Sequence, residues 1–249
     1  MRKNAPILTI ITPVYNEGEN FPTLYKELIR DVTVPFRLVV VYDFDEDNTV
    51  PVVHKYQKKD RRLLLHKNTR GKGALNALLS GFDFVRSGPL LVIMADLSDD
   101  LRVVDRMYTM HQNGYDLVCG SRYMRGGKQI GGPLLKRLLS RIAGISLHYL
   151  VRIPTHDVTN NFKLYNKRVL DKISIDSKGG FEVAMEITVK AYAEGYKIGE
   201  TPSVWRDRTA GETNFNLWGW IPSYIKWYLY GLKSPWLRRQ TVRRKAISS

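Results

Sequence analysis

The first hundred residues alternate short apolar runs with longer segments of helical character, and this alternation constrains the fold more than any other feature. The apolar runs are rich in β-branched residues and predict strands at 7–14, 36–42, 63–66 and 89–94, with helices at 20–29, 49–58 and 73–84 between them. Uninterrupted apolar strands are typical of parallel sheets that are covered on both faces. The pattern therefore predicts an α/β fold: a doubly wound, mostly parallel central sheet with helices on both faces.

The second half of the chain is less regular. A glycine-rich, basic segment at 121–133 is predicted to be a loop, and the amphipathic segment 134–151 is predicted to be a helix. A further helix is expected at 181–195, followed by a strand at 197–205. We expect one domain over residues 1–216, followed by a separate C-terminal segment over 217–249.

The charge balance requires a polyanionic partner or surface. The chain carries 39 Lys and Arg against 24 Asp and Glu, a formal net charge of +15. Nucleic acid, anionic lipid headgroups and phosphorylated small molecules all meet that requirement. The single cysteine, Cys119, excludes an internal disulfide and a multi-cysteine metal site, and its apolar neighbours predict that it is buried.

The C-terminal segment has the composition of a membrane-surface element. Residues 217–232 are dense in Trp and Tyr, and a basic tail without acidic residues follows. Amphipathic aromatic side chains favour the membrane–water boundary, and arginines are attracted to anionic lipid. No run reaches the roughly 20 apolar residues of a spanning helix. We therefore expect peripheral association with the cytoplasmic side of a membrane. The alternatives are a helix packed on the domain formed by residues 1–216 and a solvated tail.

Polar and glycine-rich motifs follow the predicted strands. They are TPVYNE (12–17), the acidic run 43–47, NTRGKGA (68–74) and MADLSDD (94–100). In doubly wound sheets, ligands bind beyond the carboxyl ends of the strands. Glycines allow close backbone approach, and Arg70 and Lys72 bring positive charge to a helix N-terminus, which favours a phosphate group. Carboxylates such as Asp96 at a strand end suit a hard cation such as Mg²⁺, which bridges diphosphate oxygens.

These motifs, in this order and followed by GSRY (120–123), DVTNNFKLY (157–165) and RTAGETNF (208–215), resemble glycosyltransferase family 2. Within that family the chain is most similar to the dolichyl-phosphate (polyprenyl-phosphate) mannosyltransferase branch. The resemblance covers residues 7–216. It implies a GT-A fold, a nucleotide-diphosphate sugar donor and a divalent cation, Mg²⁺ or Mn²⁺.

The resemblance also implies roles for individual residues. The nucleotide sugar is expected to contact Pro13, Tyr15, Glu17, Asp43, Lys72, Ala95 and Asp96. Asp96 corresponds to the second acid of the Asp-x-Asp metal motif, and Ser98 to a further metal contact. Arg122 corresponds to an arginine that binds the acceptor phosphate, together with Lys136 or Arg137. The alternative is a structural Arg122 that pairs with a nearby carboxylate such as Asp157. Arg208 corresponds to the arginine of a loop near the diphosphate. Asp96, Arg122 and Arg208 are therefore the expected catalytic residues.

The chain departs from the family pattern at several of these positions. Met94 replaces the first acid of Asp-x-Asp. Asn214 stands where the synthases often carry Lys, and Asn160 and Asn161 replace a Ser-Gly pair. These changes leave the metal site, the sugar and the acceptor open.

The expected activity is inverting transfer of a sugar to a polyprenyl phosphate. Alternatives are transfer to a saccharide or other hydroxyl acceptor, with Asp157 or Asp99 as the base, and a catalytically impaired nucleotide-sugar-binding protein. Nucleic acid is not expected as a partner, because the basic residues form no recognisable nucleic-acid motif and the acidic strand ends repel a phosphate backbone.

Overall fold

The structure is a computed structural model that describes the backbone of residues 6–207 and 217–247, and the side chains of 6–207, 221–239 and 241. The strands in these ranges are β1 (Leu8–Pro13), β2 (Phe36–Tyr42), β3 (Leu63–Lys67), β4 (Pro89–Val92), β5 (Leu117–Ser121), β6 (Lys128–Ile130), β7 (Lys163–Asn166), β8 (Ile198–Pro202) and β9 (Val204–Arg206). The helices are α1 (Phe21–Asp31), α2 (Thr49–Gln57), α3 (Ala74–Phe84), α4 (Val104–Gln112), α5 (Leu134–Val151), α6 (Lys167–Lys172), α7 (Val183–Ala193) and α8 (Leu217–Ile247).

The central sheet has the order β3-β2-β1-β4-β7-β5-β8, and β6 pairs with β9 in a separate small sheet. Strand β7 runs antiparallel to both β4 and β5, whereas the other neighbours in the central sheet are parallel. The predicted mostly parallel sheet is therefore confirmed.

Successive side chains of a strand point to opposite sides of the sheet, and helices cover both of these faces. Along β1, Leu8 and Ile10 belong to the core that α1, α2 and α4 cover, whereas Ile11 belongs to the core that includes residues of α3, α5 and α7. Both faces are apolar, which explains the uninterrupted apolar runs in the sequence. Cys119 is fully buried, as predicted, and burial raises the pKa of its thiol to about 11.

The strands and helices predicted in the first hundred residues are all present. Two predicted segments of the second half are corrected. The segment predicted as one strand at 197–205 forms two strands. Strand β8 pairs with β5 as far as Pro202, and β9 then pairs with β6 in the small sheet. The amide of Ser203, between them, donates to the carbonyl of Ser121 at 3.0 Å. The predicted loop at 121–133 accordingly contains the short strand β6.

The aromatic C-terminal segment packs on the protein. Helix α8 is continuous over 31 residues and includes the first part of the basic tail. Trp227 is buried in the core, and Tyr224, Tyr228 and Tyr230 pack against it. Gly231 permits the close approach, since a Cβ there would meet Leu147 of α5 at 3.0 Å and Val189 of α7 at 3.1 Å. Trp227 is a core residue and is not available to lipid, whereas the three tyrosines are partly buried against the core and keep part of their surface exposed.

Among the residues that the structure describes, none of the helices combines the length and apolar character that crossing a bilayer requires.

Candidate active site at the carboxyl edge of the sheet

The predicted site residues that the structure describes lie beyond one edge of the central sheet. Strands β1 to β5 of the central sheet end at this edge, and the loops after them carry the motifs. Strand β1 is flanked by β2 and β4, so the strand order reverses beside it. Such a switch point is the usual ligand crevice of a doubly wound sheet. A cleft opens there, lined by Pro13, Val92, Met94 and Phe181 among others.

The loop after β1 is held against the acidic loop after β2. The amides of Asn16, Glu17 and Gly18 donate to side chains of Asp47, Thr49 and Asn48, at 3.0, 2.9 and 2.8 Å. Asn16 has a φ of 56°, a left-handed conformation that asparagine tolerates better than most residues. These bonds fix the backbone on which Tyr15 and Glu17 stand.

An aromatic pair stands beside this loop. The ring of Tyr15 meets that of Phe44 edge to face, with their centroids 5.5 Å apart, and Tyr15 is 63% exposed. The Nζ of Lys72 lies 5.7 Å from the centroid of the Phe44 ring. The structure therefore brings Tyr15 and Lys72, two predicted donor-binding residues, into contact range of one half-buried aromatic ring.

Asp43 organises the glycine-rich loop. Its carboxylate accepts a hydrogen bond from Nδ2 of Asn68 at 2.8 Å and another from the amide of Gly73 at 2.7 Å. Gly73 has a φ of 122°, which a residue with a side chain rarely adopts. Arg70 does not reach the phosphate position suggested by its place at the helix start, because its guanidinium pairs with Asp83 at 2.6 Å. The positive charge of this loop is therefore carried by Lys72.

The loop after β4 carries the counterpart of the Asp-x-Asp motif. Ala95 and Ser98 are buried, and Asp96 accepts a hydrogen bond from the amide of Ser98 at 3.1 Å. Leu97 is held at a φ of 63°, which costs energy for a residue with a branched side chain. The side-chain ligands available in the loop are all oxygen atoms, and the buried Oγ of Ser98 has no hydrogen-bond partner. The loop therefore fits a hard divalent cation.

Sequence reasoning about metal ligands did not include Asp99. Its Oδ2 accepts a hydrogen bond from the amide of Met94 at 2.9 Å. Burial, together with the neighbouring carboxylate of Asp96, raises the pKa of Asp99 to about 7. Among the described residues, no group of three or more His, Cys, Asp or Glu side chains is arranged to hold a metal ion. A cation here would therefore need the donor to complete its ligands.

Arg122 is buried and forms an ion pair. Its Nε donates to Asp157 at 2.7 Å, and one terminal nitrogen donates to Asp157 and to Thr159, both at 2.9 Å. Burial disfavours both charges, but each partner outweighs it: the pKa of Arg122 is raised and that of Asp157 is lowered. With its carboxylate occupied and its pKa low, Asp157 is poorly suited to act as the base that a hydroxyl acceptor would need.

Lys163, which no sequence pattern marks as a site residue, supports the Asp157 loop. It is fully buried at the start of β7, and its Nζ donates to the backbone carbonyls of Asp157, Val158 and Asn160. Burial lowers the pKa of this ammonium group. Lys163 therefore holds in place the loop that positions Arg122.

The basic pair of α5 lies next to this cluster along the chain. Tyr123, the neighbour of Arg122, donates to Gln129 at 2.8 Å and shares a hydrogen bond with Ser140 of α5 at 2.5 Å. Lys136 and Arg137 are half-buried on the turn before Ser140. Arg208 lies outside the described residues, as do Asn214 and the rest of its motif.

A second unanticipated residue is Glu182. It is fully buried, its Oε1 accepts a hydrogen bond from the amide of Gly179 at 2.8 Å, and its Oε2 has no partner. Burial, with the nearby charge of Glu182, raises the pKa of Tyr224, which also lies near Arg122. No spacing in the sequence marks Glu182, because its position beside α8 depends on packing between distant segments.

Solved structures identify the fold. Glucosyl-3-phosphoglycerate synthase of Mycobacterium tuberculosis, in complex with UDP or with Mn²⁺, UDP and its product, matches with a TM-score of 0.66 at 12% identity, over 91% of this chain and 80% of that one. S. aureus TarS 1–349 matches with a TM-score of 0.57 at 18% identity, over 81% of this chain and 60% of that one. The chain therefore has the GT-A fold of glycosyltransferases, as predicted.

The family follows from the sequence comparisons. The profile of "Glycosyl transferase family 2" matches residues 9–174, so the chain belongs to glycosyltransferase family 2 and is a glycosyltransferase. It is 31% identical over 211 residues to polyprenol monophosphomannose synthase of Mycolicibacterium smegmatis, covering 81% of this chain and 78% of that protein. It is 28% identical over 211 residues to dolichol-phosphate mannosyltransferase of Pyrococcus furiosus, covering 83% of this chain but only 58% of that protein.

Proposed function

We propose that the protein transfers a sugar from a nucleotide diphosphate to a polyprenyl phosphate with inversion at the anomeric carbon. The observation that carries the proposal is the link between the Arg122 loop and α5 through Tyr123 and Ser140. Helix α5 presents an apolar face to solvent. The Arg122 cluster next to it would bind a phosphate group. A lipid phosphate has both an apolar chain and a phosphate group, which are the two groups that this arrangement would recognise. The similarity to two polyprenyl-phosphate mannose synthases supports the same acceptor.

The residues of the carboxyl edge would divide the work between donor and acceptor. Tyr15, Glu17 and Asp43 would hold the nucleoside, while Lys72 and Arg208 would neutralise the diphosphate that leaves. A divalent cation held by Asp96 and Ser98 would supply further neutralisation of that charge. Arg122, with Lys136 or Arg137, would hold the acceptor phosphate, as arginine binds phosphate oxygens bidentately.

A phosphate acceptor removes the need for a strong base. A phosphate monoester has a second pKa of about 6 and is largely ionised at neutral pH. Its oxygen can therefore attack as soon as it is aligned opposite the leaving diphosphate, and positioning supplies most of the rate. Attack from the opposite side inverts the anomeric configuration.

The membrane-facing surface that we propose lies on α5 and α8. It is formed by the exposed apolar residues Leu134, Leu135, Leu138, Leu139 and Ile142 of α5, and Ile225, Leu229, Leu232 and Trp236 of α8. On each helix their spacing of three or four residues forms one stripe. The two helices pack together, with the hydroxyl groups of Ser146 and Tyr228 2.9 Å apart. Neither helix contains an acidic residue, which favours an anionic membrane surface.

A donor and acceptor screen tests the proposed function. The full chain is incubated with a panel of nucleotide sugars, Mn²⁺ or Mg²⁺, and polyprenyl phosphate in detergent, and products are identified by mass spectrometry. A glycosyl phosphopolyprenol is the expected product. Transfer only to saccharide hydroxyl groups would overturn the acceptor assignment, and binding of nucleotide sugars without transfer to any acceptor would indicate an impaired enzyme.

Donor binding is expected to depend on a divalent cation. Calorimetry should show that UDP or GDP binds more weakly in EDTA than in Mn²⁺, because Asp96 and the cation act together on the diphosphate. Asp96→Asn should weaken binding in Mn²⁺ by about 10- to 100-fold. Glu46→Gln, which removes an exposed carboxylate at the same edge, should leave the affinity unchanged. Equal affinity in Mn²⁺ and EDTA would contradict the metal requirement.

Membrane association is expected to depend on the α5 stripe. Leu138→Gln with Ile142→Gln should reduce partitioning onto anionic liposomes roughly tenfold or more, since two apolar side chains no longer enter the interface. The control pair Ile7→Gln with Ile29→Gln removes two exposed isoleucines elsewhere and should not change partitioning. High salt should weaken binding of every variant. Equal partitioning of both pairs in a flotation assay would place the contact on another surface.

A hydroxyl acceptor remains the second candidate, and Glu182 favours it. The unpartnered carboxylate oxygen is suited to accept a proton, as a hydroxyl nucleophile requires. Under that alternative Glu182→Gln should abolish turnover while leaving donor affinity intact. With a phosphate acceptor the same variant should retain turnover. Measuring kcat with both acceptor types decides between the two.

A further inference from the structure

The loop after β4 places a carboxylate where the family motif has lost one. Met94 occupies the position of the first acid of Asp-x-Asp, and its side chain lines an apolar cleft with Pro13 and Phe181. The amide of this same residue donates to Oδ2 of Asp99 at 2.9 Å. The carboxylate of Asp99 is therefore tied to the backbone of position 94, at the carboxyl end of β4.

Asp99 and Asp96 lie close together in this loop. Two backbone hydrogen bonds fold the loop around these carboxylates: Asp96 accepts from the amide of Ser98 at 3.1 Å, and Asp99 accepts from the amide of Met94 at 2.9 Å. Leu97, in a left-handed conformation, turns the chain between them. Ser98 is 2% exposed and its Oγ has no hydrogen-bond partner. Two carboxylates of one loop and a buried hydroxyl oxygen without a partner are oxygen ligands of the kind that a hard divalent cation binds.

We infer that Asp99 serves as the second carboxylate ligand of the divalent cation in this chain, in place of the acid that is missing at Met94. The inference rests on the proposed function, since the cation acts on the donor diphosphate. Mg²⁺ in such sites needs only one or two carboxylates, and its remaining ligands are water and substrate phosphate oxygens. Asp96 and Asp99 meet that requirement, which explains why no larger acidic cluster is present among the described residues.

Titration of Mn²⁺ into the full chain tests the inference without an activity measurement. Free Mn²⁺ is followed by electron paramagnetic resonance, alone and with saturating UDP or GDP. Asp99→Asn, which can still accept the amide of Met94, is expected to weaken Mn²⁺ binding about 10- to 100-fold. The double variant Met94→Asp/Asp99→Asn returns a carboxylate to the family position and is expected to recover most of that affinity. The control Asp45→Asn removes an exposed carboxylate at the same edge and should have no effect.

The outcomes separate the ligand assignment from the function. Unchanged Mn²⁺ affinity of a folded Asp99→Asn variant overturns the assignment, even if the native protein transfers sugar. Recovery by Met94→Asp/Asp99→Asn supports it and shows that the loss in Asp99→Asn was not misfolding. Loss and recovery of Mn²⁺ binding in a protein that transfers no sugar would reject the proposed function and keep the metal site.

Discussion

Asp157→Asn is expected to lower the free energy of unfolding by about 3–5 kcal/mol, the loss typical of removing one partner of a buried ion pair. Asp157 is fully buried, and Arg122 is only 9% exposed. The carboxylate accepts two hydrogen bonds from the guanidinium group and one from the amide of Arg122. Without it, the guanidinium charge stays buried with Thr159 as its remaining side-chain partner among those described here.

Urea denaturation at neutral pH measures this loss, and the chain offers a matched control. Arg70 and Asp83 form the same type of pair on the surface, where both side chains are about half exposed. Asp83→Asn should therefore change the free energy of unfolding by no more than about 1 kcal/mol. If Asp157→Asn cost no more than Asp83→Asn, the buried pair would contribute nothing beyond a solvated one.

The sequence predicts the elements whose apolar pattern is long and regular. Strand β2 and helix α5 occur at the predicted residues, because one is an uninterrupted apolar run and the other is bounded by Pro133. Helix α4 and strand β5 were not predicted. The short strand β7 and the helix α6 were not predicted either. Each is only a few residues long, and β7 contains the buried Lys163, whose charge is acceptable there only because three backbone carbonyls surround it.

The site was predictable where it follows strand ends and unpredictable where it depends on distant contacts. The positions of Tyr15, Asp43 and Asp96 follow from parallel strands whose carboxyl ends share one edge. The pairing of Arg122 with Asp157 joins residues 35 positions apart and was only one of two possibilities in the sequence. The orphaned oxygen of Glu182 has no sequence signal, because it depends on the absence of a partner in the folded protein.

The remaining question about Arg122 is whether it binds phosphate as well as Asp157, and a double variant can answer it. Arg122→Met alone leaves the Asp157 carboxylate buried, so lost activity would be confounded with lost stability. Arg122→Met/Asp157→Asn removes both charges and keeps an amide oxygen for the surrounding donors. Neutral replacements of buried ion pairs are often well tolerated. The double variant should therefore unfold at a higher urea concentration than either single variant.

Transfer by this double variant is expected to stay low despite the recovered stability. A charge-assisted hydrogen bond to the acceptor phosphate is worth about 1.5–3 kcal/mol, so transfer at subsaturating polyprenyl phosphate should fall roughly 10- to 150-fold. Donor affinity, measured by calorimetry, should remain that of the native protein. Recovery of full transfer together with stability would assign Arg122 a purely structural role. A loss of donor affinity with unchanged dependence on acceptor would instead place Arg122 at the leaving diphosphate. Only low transfer with native donor affinity and weakened acceptor dependence fits an arginine that uses Asp157 for its position and presents its remaining edge to the phosphate.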